Sequence, residues 1–304
     1  MGEINFGLKK VNSIKYNNDI ITSMSIFPSG NLISVSKDRS IYIYDDNFNI
    51  IQTIQDAHDE KLSDVYIKNE NYFFTSSFNG SIKSWVKNKL NQFQLNQIIN
   101  NSNNIIIYKL IYSQKKIFSC NWDGKIKIFE EYDNNKYQLQ IIIKHSKSIH
   151  SILLLEEKNI LVSSGYYEET KFYNINNYEI IMNFPKVFCI NNNSLERIDE
   201  DKIIIGGKDY MMKIISISKK IIIKEIKLDI NCWGIHSVKN KNIFLTGGLT
   251  ENGNTNIKIF KFENYECIQT INNAHKFLIN NFIELKNGLI ASYGWDNQIN
   301  IWSF

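Results

Sequence analysis

Short stretches in which apolar and polar residues alternate recur along the whole chain, and turn-forming residues bound each of them. Seven of these stretches end in a large apolar or aromatic side chain, and they occupy residues 41–44, 82–85, 126–129, 170–173, 212–215, 257–260 and 299–302. Alternation with a period of two is typical of a β-strand that buries one face. Successive stretches end 41 to 45 residues apart, so the pattern predicts seven structural repeats.

A tight turn precedes each of these strands, and in six of the seven repeats it carries Asp or Asn. In five repeats this residue lies six positions before the last residue of the strand, and the residues are Asp38, Asn79, Asp123, Asp209 and Asp296. The fourth repeat has Tyr167 at this position, with the acidic residue Glu168 beside it, and the sixth has a longer turn over 249–256. Further alternating or apolar runs, such as 21–27 and 149–155, lie between the turns. Four strands of four to eight residues in about 43 residues match one blade of a β-propeller.

The repeats run along the chain without a break, so the sequence predicts one domain over residues 1–304 rather than several. The predicted fold is all-β: a single seven-bladed β-propeller with four-stranded blades. Counted back from residue 304, the seventh repeat has three strands and lacks a fourth. A segment at roughly 4–14 precedes the first repeat and is not part of any repeat.

A second pattern, made of polar and aromatic residues, has the same spacing in two repeats. The seventh repeat has His275, Ser292, Asp296 and Trp302, separated by 17, 4 and 6 positions, and the second has His58, Thr75, Asn79 and Trp85 at the same separations. On these residues, and over essentially the whole chain, the sequence resembles the WD-repeat β-propeller family. His145 begins a weaker copy in which Tyr173 replaces the tryptophan, and no repeat ends its third strand in Trp-Asp.

The resemblance implies how these residues are used. In that family the four side chains form a buried tetrad joined by hydrogen bonds across the blade. The resemblance also implies that the segment at 4–14 pairs beside residues 298–302 as the missing outer strand. This pairing closes the ring and covers the apolar last strand, which would otherwise be an exposed edge prone to aggregation.

Composition and charge favour an ordinary globular protein. The 304 residues are 43% hydrophobic, and 35 basic against 31 acidic residues give a formal charge of +4, which does not predict a specific nucleic-acid partner. Four cysteines lie far apart, at 120, 189, 232 and 267, which favours reduced thiols over a disulfide framework. No signal sequence and no apolar run of about 18 residues occurs. We expect a cytoplasmic or nuclear protein that does not bind membranes.

Candidate chemistry adds little to this picture. His275, Ser292 and Asp296 are the residue types of a hydrolase triad, but the tetrad interpretation is strongly favoured because a buried serine is not accessible to substrate. The five histidines lack close metal-ligand spacing, apart from the pair His145 and His150, for which a structural interpretation is favoured. No glycine-rich phosphate loop occurs. We therefore predict no catalytic residues, no cofactor and no metal.

Candidate binding residues lie next to the turns. The residues immediately before the turn acid are Lys37, Phe78, Trp122, Tyr167, Lys208 and Trp295, and Trp233 and Phe277 lie in the loops before the sixth and seventh repeats. The resemblance implies that these positions share the face on which such propellers receive partners, and aromatic anchors are enriched in binding hot spots. The alternative for any one ring is that it packs over a neighbouring blade.

The leading functional prediction is a non-enzymatic scaffold for protein–protein interaction. It would be a monomeric propeller that binds protein partners or peptide segments as a subunit of a larger intracellular assembly. The alternative is a peptide-reading or ubiquitin-binding propeller that acts as a substrate-recognition adaptor through Phe78, Trp122 and Trp295. A propeller enzyme is a third class, which would need convergent acids or metal ligands that the sequence does not show. The fold alone does not decide among these.

Overall fold

The computed structural model of the protein describes residues 7–15, 17–99, 104–145, 147–166, 169–184 and 192–304. These residues form β-strands joined by short turns, and two single-turn 3₁₀ helices, Glu156–Lys158 and Lys239–Lys241, are the helices of the described chain. The predicted all-β class is confirmed.

The strands in the first part of the chain are β1 Lys9–Ile14, β2 Ile21–Ile26, β3 Leu32–Ser36, β4 Ile41–Tyr44, β5 Ile50–Ile54, β6 Leu62–Asn69, β7 Tyr72–Ser77, β8 Ile82–Lys87, β9 Phe93–Ile99, β10 Ile107–Ser113, β11 Lys116–Asn121, β12 Lys125–Asp133, β13 Lys136–Lys144, β14 Ile149–Leu155, β15 Ile160–Gly165, β16 Thr170–Asn174 and β17 Ile180–Phe184. The remaining strands are β18 Asn192–Arg197, β19 Lys202–Gly207, β20 Met211–Ser216, β21 Ile221–Lys227, β22 Gly234–Val238, β23 Ile243–Leu249, β24 Thr255–Lys261, β25 Cys267–Ile271, β26 Ile279–Glu284, β27 Ile290–Gly294 and β28 Ile299–Ser303.

These strands form seven four-stranded antiparallel sheets, the blades of a β-propeller. Blade 1 is β2–β5, blade 2 is β6–β9, blade 3 is β10–β13, blade 4 is β14–β17, blade 5 is β18–β21, blade 6 is β22–β25, and blade 7 is β26–β28 with β1. Each of the seven alternating stretches found in the sequence is the third strand of a blade. The predicted repeat and strand count are therefore confirmed.

The described chain forms two compact units. One contains residues 22–192 and holds blades 1 to 4, and the other contains residues 1–21 and 193–304 and holds blades 5 to 7. The sequence does not predict this division, and the single domain over 1–304 stays a prediction.

Strand β1 completes blade 7, as the resemblance implied. It pairs antiparallel with β28 in a register that runs from Lys9 opposite Ser303 to Ile14 opposite Ile299. Just before the strand, the side chain of Leu8 is buried at 2% exposure in a cluster that includes Trp302. The amide of Gln269 in blade 6 accepts a hydrogen bond from the Leu8 N–H at 2.9 Å and donates one to its carbonyl at 3.0 Å. The closing strand is therefore fixed by pairing, by an apolar anchor and by two side-chain hydrogen bonds.

Within each unit, apolar side chains from adjacent blades pack against one another. Between blades 1 and 2, for example, the rings of Phe27 and Phe93 stack at 5.3 Å, and beside them Phe73 stacks with Trp85 of the same blade at 6.0 Å. All four side chains are at least 93% buried. Burial of this size stabilises each pair by several kcal/mol, on the order of 25 cal/mol per Å² removed from water.

Blades 2 and 3 are also joined by Lys68 of β6, a half-buried lysine. The β12–β13 hairpin carries Asn135 and Tyr137, which accept hydrogen bonds from the Lys68 ammonium at 2.8 and 2.9 Å. Glu131 of the same hairpin lies 3.5 Å from this ammonium, and both side chains are about 15% exposed. Three tyrosine rings surround the cation at 4.7 to 5.6 Å from their centroids, and they belong to Tyr72, Tyr112 and Tyr137.

Two glycines that the sequence places at strand ends have a packing role. A side-chain carbon on Gly206 would overlap the sulfur of Cys232, and one on Gly248 would overlap the carbonyl of Asn231. Asn231 and Cys232 both lie in the loop that enters blade 6, and this loop passes Gly206 of blade 5 and Gly248 of blade 6 too closely for any larger residue. Close approach, rather than an unusual backbone conformation, is the reason for glycine here.

Candidate functional site

In blade 7 the four tetrad residues meet in one hydrogen-bonded chain. The indole N–H of Trp302 donates to Ser292 Oγ at 2.8 Å, and Ser292 Oγ lies 2.7 Å from Nε2 of His275. Nδ1 of His275 lies 2.9 and 3.0 Å from the two carboxylate oxygens of Asp296, which also accepts the backbone N–H of Lys276 at 3.0 Å. Burial raises the pKa of Asp296, but the hydrogen bonds from His275 and from the backbone N–H groups of Lys276 and Gln298 together outweigh it and hold this pKa below its usual value.

In blade 2 three predicted members meet and the fourth is replaced. The indole of Trp85 donates to Thr75 Oγ1 at 2.8 Å, and Thr75 Oγ1 lies 2.8 Å from Nε2 of His58. Nδ1 of His58 bonds to Ser81 Oγ at 2.8 Å, not to the predicted Asn79. The Asn79 oxygen instead accepts the N–H of Ser81 at 3.0 Å and the hydroxyl of Ser77, so the tight turn occupies it. The blade 2 tetrad is corrected to His58, Thr75, Ser81 and Trp85.

Nδ1 of the tetrad histidine meets the Asp296 carboxylate in blade 7 but the Ser81 hydroxyl in blade 2, and this difference changes the electrostatics of the His58 ring. Burial, with a smaller contribution from Lys83, lowers the pKa of His58 to about 3, because no anion stabilises the protonated ring. In blade 4, burial and then Lys171 lower the pKa of His145 to about 4, although Glu169 lies 3.9 Å from its Nδ1. Both rings are therefore neutral at pH 7.

The geometry does not support a hydrolytic role for the tetrad of blade 7. Ser292 is fully buried, and its oxygen is in contact with the Trp302 indole and the His275 ring. A nucleophile must reach a substrate carbonyl, and no surface leads to this hydroxyl oxygen. The four side chains stabilise the blade, because each buried polar atom has a partner.

Four of the candidate binding residues lie in blades 5 to 7, and three of these are in ring contact. The Lys208 ammonium lies 4.5 Å from the centroid of the Trp233 ring, and Trp233 meets Trp295 edge to face at 6.2 Å. Trp295 is 41% exposed, and its indole N–H donates to Asn280 Oδ1 at 2.9 Å, which fixes the ring orientation. Burial lowers the pKa of Lys208, and no described residue forms a hydrogen bond or ion pair with its ammonium.

The fourth residue, Phe277, lies in the loop that enters blade 7 and is 60% exposed. The backbone N–H of Trp295 donates to the carbonyl of Leu278 at 2.9 Å, so the turn that bears Trp295 and the loop that bears Phe277 are adjacent. We call Lys208, Trp233, Phe277 and Trp295 the tryptophan ridge. It presents two exposed aromatic rings, one half-buried ring and one cation.

Trp122 lies in a separate group of rings in blades 3 and 4. Its indole is 53% exposed and stacks with the His150 ring at 6.4 Å, and His150 also contacts Tyr108 at 4.3 Å and Tyr166 at 6.0 Å. We call these four residues the Trp122 ring row. Burial raises the pKa of Tyr108 to about 12. The sequence prediction missed Tyr108, His150 and Tyr166. One feature of the sequence could have indicated this group: Tyr108 and His150 are each the second residue of the first strand of their blade.

The remaining predicted binding residues are less prominent. Lys37 and Phe78 are half-buried, and the Lys37 ammonium lies 5.7 Å from the Phe78 ring. Tyr167 lies outside the described residues. Within the described part of the chain, no group of three or more His, Cys, Asp or Glu side chains is arranged to hold a metal ion. The helices of the described residues are too short and polar to cross a membrane.

Comparisons with known proteins agree with this architecture. The family model described as "WD domain, G-beta repeat" matches residues 8–45. A similar solved structure is the WD40 beta propeller domain of Doa1, with 16% sequence identity, a TM-score of 0.78, and coverage of 98% of this chain and 97% of that chain. No curated protein sequence matches this chain. The structural likeness shows a shared fold, and with the matched repeat it confirms the resemblance found in the sequence.

Proposed function

We propose that this WD-repeat propeller is a non-enzymatic interaction module that binds an extended segment of a partner protein on the tryptophan ridge. The observation that carries the proposal is the arrangement of Lys208, Trp233 and Trp295, in which the Trp233 indole contacts the Lys208 ammonium on one side and the Trp295 indole on the other. Propellers of this family are generally scaffolds for protein interaction, which supports the class of function.

The ridge fits a partner segment with apolar anchors and at least one acidic group. Trp295 and Phe277 are exposed aromatic rings, and such rings are the commonest anchors of protein interfaces. The Lys208 side chain is half-buried, its ammonium lies over the Trp233 ring, and among the described residues no anion pairs with it. A carboxylate from a partner would supply the missing counter-ion at a place where water screens the charge weakly.

The test is a comparison of partner recovery by three forms of the full chain. The tagged protein, the double variant Trp295→Ala/Phe277→Ala and the control Ile221→Ala are used to purify partners from source-cell lysate, which are quantified by mass spectrometry. Ile221 is 50% exposed on the outer strand of blade 5, so it matches the exposure of the ridge residues at another position. Partners that are lost from the double variant and kept by the control support the proposal. Equal recovery by all three forms would overturn it.

A peptide-reading role is the second candidate, and the Trp122 ring row favours it. Four rings, of which His150 contacts the other three and Trp122 is half exposed, form a platform on which an extended peptide can lie. Trp122→Ala in the same purification separates the two candidates. Loss of partners from this variant alone would assign binding to blades 3 and 4.

We also propose an oligomeric state and a location for the propeller. It acts as a monomer within a hetero-complex inside the cell. Cys120 and Cys232 are buried free thiols and Cys267 is an exposed one, a use of cysteine that suits a reducing compartment. Size-exclusion chromatography with light scattering on the purified chain tests the monomeric state, and a mass twice that of the chain would contradict it.

A further inference from the structure

A polar cavity of about 410 Å³ lies where blades 6 and 7 meet, and neither the tetrad nor the tryptophan ridge accounts for it. The turn of blade 6 contributes Asn254, the loop into blade 7 contributes Asn273 and Lys276, and the turn that leads into β28 contributes Gln298. The closing strand β1 contributes Lys10. The volume of this cavity lies in the range of small-molecule sites, about 300 to 1,000 Å³. Such sites are mostly apolar, whereas the lining of this cavity is polar.

Two lysines give the cavity its charge. Lys10 and Lys276 are exposed, and among the described residues neither ammonium has a hydrogen bond or ion pair. Partial burial lowers the pKa of Lys10, and the nearby carboxylate of Asp296 opposes this effect. Asp296 is itself occupied by His275 and by the backbone N–H groups of Lys276 and Gln298. The net charge of the lining is therefore positive, and its charged groups without a partner among the described residues are the two ammonium groups.

Amide side chains supply the remaining polar groups. The Gln298 oxygen accepts the Ser13 hydroxyl at 3.1 Å, and its amide nitrogen bonds to no described residue. The side-chain amides of Asn254 and Asn273 are also without partners among the described residues. A carboxamide both donates and accepts hydrogen bonds, which suits hydroxyl groups. The described lining contains no Phe, Tyr or Trp ring on which a nucleobase could stack.

We propose that this cavity binds a small phosphorylated polyol, with its phosphate between Lys10 and Lys276 and its hydroxyls on the amides. Ammonium groups bind phosphate through charge-assisted hydrogen bonds, which are about twice as strong as neutral ones. The pairing register of β1 shifts between Lys10 and Asn12, and such bulges often re-aim a side chain next to a site. This site is independent of the partner surface proposed above.

The ligand would also hold the closing strand in place. It would contact β1, β28 and the blade 6 turn together, and all three positions are brought together only in the folded protein. A ligand that binds only the folded state raises the melting temperature in proportion to the logarithm of its concentration. The site therefore has a stability readout as well as a binding readout.

Isothermal titration calorimetry at low salt tests the proposal, with inositol 1,4,5-trisphosphate and glucose 6-phosphate as probes. Inorganic phosphate and a phosphoserine peptide are the comparison ligands. We expect at least one polyol phosphate to bind about tenfold or more tightly than either comparison ligand, and to raise the melting temperature. No binding of either polyol phosphate would overturn the proposal. Equal or tighter binding of inorganic phosphate or of the peptide would also overturn it.

Three lysine variants locate the site. Lys10→Ala and Lys276→Ala are each expected to weaken binding by about tenfold or more and to remove the thermal shift. Lys9→Ala is the matched control, because Lys9 is the preceding exposed residue of β1 and does not line the cavity, and its affinity should stay within about twofold. Equal affinity of all variants would place the ligand elsewhere and refute the assignment. Their melting temperatures without ligand confirm that each variant folds.

Discussion

Replacing Leu8 with alanine should destabilise the protein as much as a mutation deep in its core, although Leu8 lies near the start of the chain. Its side chain is 2% exposed and packs in the cluster that holds Trp302, Ile279 and Phe282. Leucine-to-alanine changes at buried sites cost about 2–5 kcal/mol, because transfer free energy is lost and a cavity remains. The site is bordered by a single outer strand that can relax, so we expect about 3 kcal/mol. Urea unfolding followed by tryptophan fluorescence measures this loss.

Val11→Ala is the control, because Val11 lies in the adjoining strand β1 and is 56% exposed. It should change the free energy of unfolding by less than about 0.5 kcal/mol. Gln269→Ala should cost about 1–2 kcal/mol, since it removes the partners of both Leu8 backbone groups. The double variant of Leu8 and Gln269 should lose less than the sum, because both changes loosen one anchor. Equal free energies for Leu8→Ala and Val11→Ala would refute the role of Leu8 in closing blade 7.

Three further predictions concern buried charges. The pKa of His58 is about 3 and that of His145 about 4, below the value near 6.5 of an unfolded chain. Below about pH 6.5 the unfolded chain binds protons that these buried rings do not, so the free energy of unfolding is full above that pH and falls as the pH drops toward 4, by up to about 1.4 kcal/mol per pH unit for each ring. Urea unfolding midpoints that are equal at pH 7.5 and 5.0 would contradict this. Asn79→Asp should raise the pKa of His58 by placing a carboxylate near it, and an NMR titration that shows no change would count against the tetrad comparison. Lys68→Met should lower the free energy of unfolding by about 2–4 kcal/mol, because the largely buried Glu131 loses its cation. A thermal unfolding curve identical to that of the unmodified protein would refute this.

The repeat and the strand positions were predictable because each depends on local order along the chain. Alternation at 41–44 or 299–302 marks a strand wherever it lies, and Asp or Asn before it marks the turn in most repeats. Counting showed three strands in the last repeat and one spare segment before the first, and the family resemblance implied that this segment pairs as the outer strand of blade 7. The spacing of His275, Ser292, Asp296 and Trp302 carried the resemblance, and the resemblance implied that they form a buried tetrad.

Contacts between blades were not predictable from these patterns. The exchange of Asn79 for Ser81 depends on which oxygen the turn occupies, and spacing does not distinguish two residues this close. The Trp122 ring row joins Tyr108 to His150 across two blades, so no periodicity within one repeat reveals it. The cavity lined by Lys10 and Asn254 was also not predictable from local patterns, because these two residues come together only when β1 pairs with β28.

The pairing of β1 with β28 has a consequence for how the protein is made. The hydroxyl of Ser13 bonds to the side chain of Asn300, 287 positions away in the chain. A ribosome therefore releases the first strand long before its neighbour is synthesised, and native contacts of such large sequence separation are slow to form. Until β28 has been synthesised, β1 has no pairing partner, and an unpaired strand favours misassembly with other chains. Docking of the amino-terminal segment should be the last and slowest kinetic phase of refolding.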